Sequence, residues 1–133
     1  MTAKILVVDD ESSIVAIAEM ILKDAGYDVL TAKNGVEAVQ IFRRENPDLI
    51  FLDLLMPEMD GIDTCRRLKA LKIVNGASCH ATVVMFTVSD DEADREKAEK
   101  AGCDGYMLKP FTPEELLREA EAHLSKVSVT FHA

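Results

Sequence analysis

The chain has 133 residues, a length that suits one compact domain and is not expected to hold a second. Hydrophobic residues make up 48% and charged residues 29%, a globular balance that excludes intrinsic disorder. The net charge of −9, from 24 acidic and 15 basic residues, argues against direct binding of nucleic acid or anionic lipid, since both need a basic footprint.

The opening Met-Thr-Ala-Lys leads straight into an apolar run, so no signal peptide is expected, and no apolar run approaches the length of a membrane span. Cys65, Cys79 and Cys103 are odd in number and form no Cys-x-x-Cys pair, which fits neither a disulfide framework nor a zinc site. A cytoplasmic location is the expectation.

Ile5 to Val8 is the first strand. A helix follows over 13–25, with Ile14, Ile17, Ala18, Ile21, Leu22 and Ala25 on one stripe and Gly26 as its stop. Val29 to Thr31 is a weaker strand. The next helix opens with Asn34 and has Glu37 three residues on, a capping-box spacing, with Val36, Val39 and Phe42 expected toward the core and Pro47 closing it.

Leu49 to Leu52 is the third strand, and a third helix starts near Asp60-Gly61 and carries Ile62, Cys65, Leu68 and then Leu71 or Lys72. Ile73 to Ala81, with its Asn75-Gly76, reads as a long loop. Val83 to Phe86 is the fourth strand. The helical segment Asp90 to Ala101 is mostly charged, has only Ala93, Ala98 and Ala101 as apolar side chains, and offers acid-before-base pairs Asp91/Arg95 and Glu96/Lys100. It is expected to be the element most easily shifted.

Gly105 to Leu108 is the fifth strand, and Thr112-Pro113-Glu114-Glu115 is the clearest helix start in the sequence. Residues 1–124 are thus expected to form the domain. The tail 125–133 shows no helical period and is expected to be mobile.

The first, third and fourth strands are nearly uninterrupted hydrophobics, as expected of strands covered on both faces of a parallel sheet. The second and fifth are weaker and suit its edges. Alternating strands and helices give βαβ units, hence an α/β doubly wound fold with helices on both faces.

In such sheets ligands bind beyond the carboxyl ends of the strands. Asp9 and Asp10 end the first strand, Asp53 the third and Thr87 the fourth, and Lys109 follows the fifth. An acidic pair after one strand is ordinarily a solvated turn; four strand ends converging carry the signal. Carboxylates held this close repel unless one is protonated or a cation joins them. Oxygen-only donors suit Mg²⁺. With the charge offset, an aspartate can attack phosphorus, while Thr87 donates to a phosphoryl oxygen and Lys109 pairs with another.

The motifs Ile5-Leu-Val-Val-Asp9-Asp10-Glu11, Leu52-Asp53-Leu-Leu-Met56-Pro57-Glu-Met-Asp60-Gly61, Thr87 and Lys109-Pro110-Phe111 closely resemble the receiver domain of two-component response regulators, over residues 3 to about 124. The resemblance implies a flavodoxin-like five-stranded sheet of order 2-1-3-4-5, the strand order of the chemotaxis member of that family. It implies Asp53 as phospho-acceptor, with Mg²⁺ held by Asp10, Asp53 and the backbone carbonyl of Leu55, and by Asp9 through water. It implies phosphoryl binding by Thr87 and Lys109, Thr87 and Tyr106 as switch residues, and a cis peptide at Pro110.

The implied phosphodonor is a sensor histidine kinase or histidine phosphotransfer protein docking near the first helix. The implied output is a conformational switch at the face of the fourth helix, fifth strand and last helix, controlling a downstream protein or output domain. A phosphorylation-dependent dimer is compatible with it. The module would catalyse only its own phosphorylation and dephosphorylation.

Val88 stands where the resembling family usually has Ala or Gly, and is expected to crowd the phosphoryl pocket; Leu55 cannot orient a water, and Ser89 only weakly. A long-lived phosphorylated state follows as an expectation. Phosphotransferases of the haloacid-dehalogenase type also use an aspartate and Mg²⁺, but resemble Asp-x-Asp, and Leu55 occupies the second acid's place. Cys79 and His80 lie together in the long loop, while His123 and His132 have no clustered partner.

Overall fold

The structure is a computed structural model that describes the backbone of residues 2–74 and 81–132 and the side chains of 2–71 and 81–124. Ten elements alternate along the chain: β1 (Lys4–Val8), α1 (Ser12–Asp24), β2 (Asp28–Ala32), α2 (Gly35–Glu45), β3 (Leu49–Leu52), α3 (Gly61–Val74), β4 (Thr82–Thr87), α4 (Glu92–Lys100), β5 (Gly105–Leu108) and α5 (Pro113–His132). The five strands form one parallel sheet in the order β2-β1-β3-β4-β5, which places the two weaker runs at the edges as expected.

The hydrophobic runs are uninterrupted because each strand feeds two cores. Ile5, Val7, Leu49, Phe51, Val84 and Phe86 point to one face, where Ala18 and Leu22 of α1 and Leu116 and Ala120 of α5 close over them. Leu6, Val8, Ile50, Leu52, Val83 and Met85 point to the other, under Phe42 of α2, Cys65 and Leu68 of α3, and Ala98 of α4. The alternation is the period-two pleat of the strand. Burial pushes the Cys65 thiol up to about 12, so this group packs as an apolar side chain, with Cys103 half-buried beside the same core.

Helix ends follow their local chemistry. Asn34 Oδ1 accepts from Glu37 N–H at 2.8 Å, whereas the Glu37 carboxylate takes the N–H of Lys33 rather than closing the box on Asn34. At α5 the box is reciprocal: Glu115 N–H donates to Thr112 Oγ1 (3.1 Å) and Thr112 N–H to Glu115 Oε1 (2.8 Å). Gly26, at φ +99°, ends α1.

Four expectations change. The buried stripe of α2 is Gly35, Ala38, Ile41 and Phe42; Val39 packs half-buried against the same core as expected, and Val36 is exposed instead of facing it. On α1, Ile17 and Ala25 lie outside the buried stripe. Ile73 and Val74 belong to α3 rather than to a loop, while Asn75, Gly76, Cys79 and His80 lie outside the described residues. Finally, α5 continues to His132, through the segment 125–132 that shows no helical period. Extending a formed helix fixes one residue for each new backbone bond and needs no apolar face.

Candidate functional site

The sheet register assembles the polar cluster. Val8 pairs with Leu52, and the ladder runs one step further, with Asp53 N–H donating to Val8 O at 3.0 Å, so Asp9 and Asp53 emerge side by side. Thr87 pairs with Leu108, and Lys109 N–H donates to Thr87 O at 2.8 Å. Oxygens of Asp9, Asp10 and Asp53 all lie within 4.8 Å of one another. Lys109 Nζ is 2.5 Å from Asp9 Oδ2 and 3.6 Å from Asp53 Oδ2.

Burial makes this cluster electrostatically tense. Asp9 and Thr87 are fully buried and Asp53 nearly so, while Asp10 is exposed. The Asp53 carboxyl is pushed up to about 7, first by burial and then by the charge of Asp9, against the opposing pull of Lys109 and of the Leu55 N–H, which donates to Oδ1 at 3.3 Å. Among the described residues the one ion-pair partner of these carboxylates is Lys109, which reaches Asp9 and Asp53 but makes no ion pair with Asp10, so the negative charge is under-compensated. The chemistry of the donor set fits a hard divalent cation: every donor is an oxygen, and no His or Cys joins the group among the described residues.

The backbone also holds Asp53 in place. Gly61 N–H donates to Leu54 O at 2.9 Å, and a Cβ on Gly61 would collide with the Asp53 carbonyl and stand 2.6 Å from Leu54 Cα. The Asp60 carboxylate caps α3 by accepting from Asp63 N–H at 2.9 Å. Thr87 Oγ1 accepts from Ser89 N–H at 3.3 Å, which leaves the hydroxyl proton free of any acceptor among the described residues. The Lys109-Pro110 peptide is cis.

Tyr106 is half-buried; its hydroxyl donates to the Ser89 carbonyl at 2.8 Å, and the Arg95 guanidinium lies 4.5 Å from its ring centroid. That stacking replaces the expected Asp91/Arg95 pair. Neither Asp91/Arg95 nor Glu96/Lys100 forms an ion pair among the described residues, and Asp91 instead caps α4 through Ala93 N–H. Val88 is 65% exposed and Leu55 53% exposed, so both side chains face solvent beside the cluster. Sequence reasoning gave Ser89 too little weight, since its backbone and hydroxyl touch Thr87, Tyr106, Asp91 and Asp94. A serine two residues before a helix-capping aspartate was the available signal.

A doubly wound sheet with an acidic cluster, a threonine and a lysine at the carboxyl ends of its strands is an all-oxygen donor site suited to a divalent cation, on a flavodoxin-like scaffold. The chain belongs to the response regulator receiver domain family, whose model matches residues 5–121. Members accept a phosphoryl group on an aspartate and bind Mg²⁺ through acidic residues.

The alkaline phosphatase synthesis transcriptional regulatory protein PhoP of Bacillus subtilis (strain 168) is 40% identical over 129 residues, covering 97% of this chain and 51% of that protein. The probable transcriptional regulator ycf27 of Porphyridium aerugineum is 42% identical over 124 residues, covering 93% and 49%. The chain therefore spans about half the length of these curated relatives. The high-resolution structure of chemotaxis protein CheY4 of Vibrio cholerae matches with a TM-score of 0.84 and 30% identity over 92% of this chain and 98% of that one.

Proposed function

We propose that Asp53 is the phospho-acceptor of this receiver domain. The observation that carries the reading is the convergence of Asp9, Asp10 and Asp53 within 4.8 Å, with Lys109 reaching two of them. Asp53 attacks the phosphorus of a phosphohistidine; an O–P bond forms, the P–N bond breaks, and the imidazole leaves. Thr87, whose hydroxyl proton has no acceptor among the described residues, donates to a phosphoryl oxygen. Lys109 turns its ammonium from the carboxylates toward another. Asp10, Asp53 and the Leu55 carbonyl would hold Mg²⁺, with Asp9 acting through water, and the ion would supply positive charge against the phosphoryl oxygens.

The phosphodonor is a histidine kinase or histidine phosphotransfer protein. An open groove of about 400 Å³ lined by Asp9, Asp10, Ser12, Val15, Glu19 and Lys33 lies beside the acceptor at the start of α1, and exposed Ile17 and Met20 continue the same helix. The added phosphoryl charge biases Thr87 and Tyr106 and repacks the α4-β5-α5 face, which controls a downstream protein or output domain, with a phosphorylation-dependent dimer as one form of output. Among the described residues no helix is long and apolar enough to cross a membrane, and the kinase-coupled role fits the cytoplasm. The domain's chemistry is limited to gaining and losing its own phosphoryl group.

Incubation with acetyl phosphate and Mg²⁺ followed by intact mass measurement tests this. One phosphoryl group is gained by the parent and none by Asp53→Asn. A parent that gains nothing, or a variant that gains as much, overturns the assignment.

A further inference from the structure

The first half of α4 has no apolar anchor. Ala93 is exposed, the first buried side chain is Ala98, and Ala101 at the C-cap is the only other one. A groove of about 350 Å³, lined by Leu54, Leu55, Met56, Ile62, Asp94 and Lys97, separates this half from the loop after β3, so α4 has room to move. Among the described residues, the hydrogen bonds that tie its first turn to the sheet run through one residue.

Ser89 Oγ donates to Asp94 Oδ2 at 2.6 Å and accepts from Asp91 N–H at 3.3 Å. The Ser89 N–H donates to Thr87 Oγ1, and the Ser89 carbonyl accepts from the Tyr106 hydroxyl. Three of the contacts on this residue therefore reach three different parts: the end of β4, the aromatic of β5, and the first turn of α4. Arg95, one residue beyond Asp94, stacks on the Tyr106 ring and closes the circuit.

We propose that Ser89 and Asp94 form the coupling link that transmits the state of Thr87 to α4, with Asp94 as the helix-side anchor. The inference rests on the phospho-acceptor reading and extends it. When Thr87 turns its hydroxyl to a phosphoryl oxygen, the geometry at Oγ1 that accepts the Ser89 N–H changes. The Ser89 peptide shifts, and because its hydroxyl grips Asp94, the unanchored half of α4 shifts with it. Asp94 is a positioning residue and touches no reacting atom.

The charge of Asp94 also favours a helix N-terminus, so the test must separate charge from grip. Asp94→Ala removes both; Asp94→Asn removes the charge and keeps an oxygen for Ser89 Oγ–H. The readout is amide hydrogen exchange over residues 92–101, with and without beryllium fluoride and Mg²⁺ as a stable phosphoryl mimic.

In the parent, the mimic changes exchange across α4. In Asp94→Ala, α4 exchanges at least about tenfold faster before any addition, as loss of one charged hydrogen bond implies, and the mimic no longer alters it. Asp94→Asn keeps the parental response. An Asp94→Ala protein with the full parental response overturns the link, and so does equal loss in both variants, which assigns the effect to charge. Acetyl phosphate labelling of both variants to the parental mass is expected; failure of the parent itself to be labelled overturns the acceptor reading and this link with it.

Discussion

Burying a carboxylate beside another costs free energy, and Asp53 is held in that position by the ladder bond to Val8 and by Gly61. The consequence is a pH dependence with a definite sign. The folded state raises the Asp53 carboxyl from its ordinary 3.8 to about 7, mainly by burial. Below the lower value both folded and unfolded chains hold the proton, and Asp53 exacts no penalty. As pH rises between the two values the unfolded chain releases its proton first, so this residue's contribution to stability is lost progressively and is gone above about 7.

Without divalent metal, Asp53→Asn is therefore expected to be more stable than the parent at pH 8 by on the order of 2 kcal/mol, with the gap closing toward pH 4. Urea titrations in a chelator at both pH values measure it. Lys109 keeps its tight pair with Asp9 in the variant, so removing the Asp53 charge leaves no unpaired lysine. A variant less stable than the parent at pH 8 contradicts the account.

At the scale of elements, α3 begins against the backbone it serves. Gly61 opens that helix directly over the Asp53-Leu54 peptide, and any side chain there meets backbone atoms, which cannot swing aside as a flexible side chain can. Gly61→Ala is expected to destabilise the fold by about 1–3 kcal/mol, as overpacking does, and to slow labelling by acetyl phosphate because Asp53 moves with its peptide. Gly26→Ala, where nothing lies within 4 Å of an added Cβ, provides a comparison in which a positive φ alone is strained. Equal labelling of Gly61→Ala and the parent would remove Gly61 from the site.

Elements of this kind were legible in the sequence where burial dictates residue type. Five strands and their order of strength could be read because both faces of β1, β3 and β4 are covered, and the Thr112 and Asn34 caps because a side-chain oxygen must stand at a fixed offset. The convergence of Asp9, Asp53, Thr87 and Lys109 was legible as strand ends. Side-chain direction beyond a strand end was not: Val88 follows Thr87 in sequence yet faces solvent. Nor was the choice of partner by a long cation, since Arg95 reaches the Tyr106 ring as readily in pattern as it reaches Asp91.

For the molecule as a whole, charge is the quantity that ties site to stability. The chain carries a net −9, and three of its carboxylates crowd one rim where, among the described residues, Lys109 alone forms ion pairs with them. Any salt screens the overall self-repulsion, but only a cation seated among Asp9, Asp10 and Asp53 removes the local excess. The two effects separate when MgCl₂ is compared with NaCl at equal ionic strength.

A ligand that binds only the folded state stabilises it by mass action, about 2.7 kcal/mol at a concentration roughly 100-fold above its dissociation constant. The thermal midpoint at pH 8 is therefore expected to rise with MgCl₂ well beyond its rise with NaCl, and chelation is expected to reverse the gain. In Asp10→Asn, which alters the exposed and most accessible of the three carboxylates, the excess over NaCl is expected to shrink while the NaCl response stays. Equal responses to the two salts in the parent would mean that the rim carboxylates are balanced by the diffuse ion atmosphere, and the site would then have no specific need of a divalent ion.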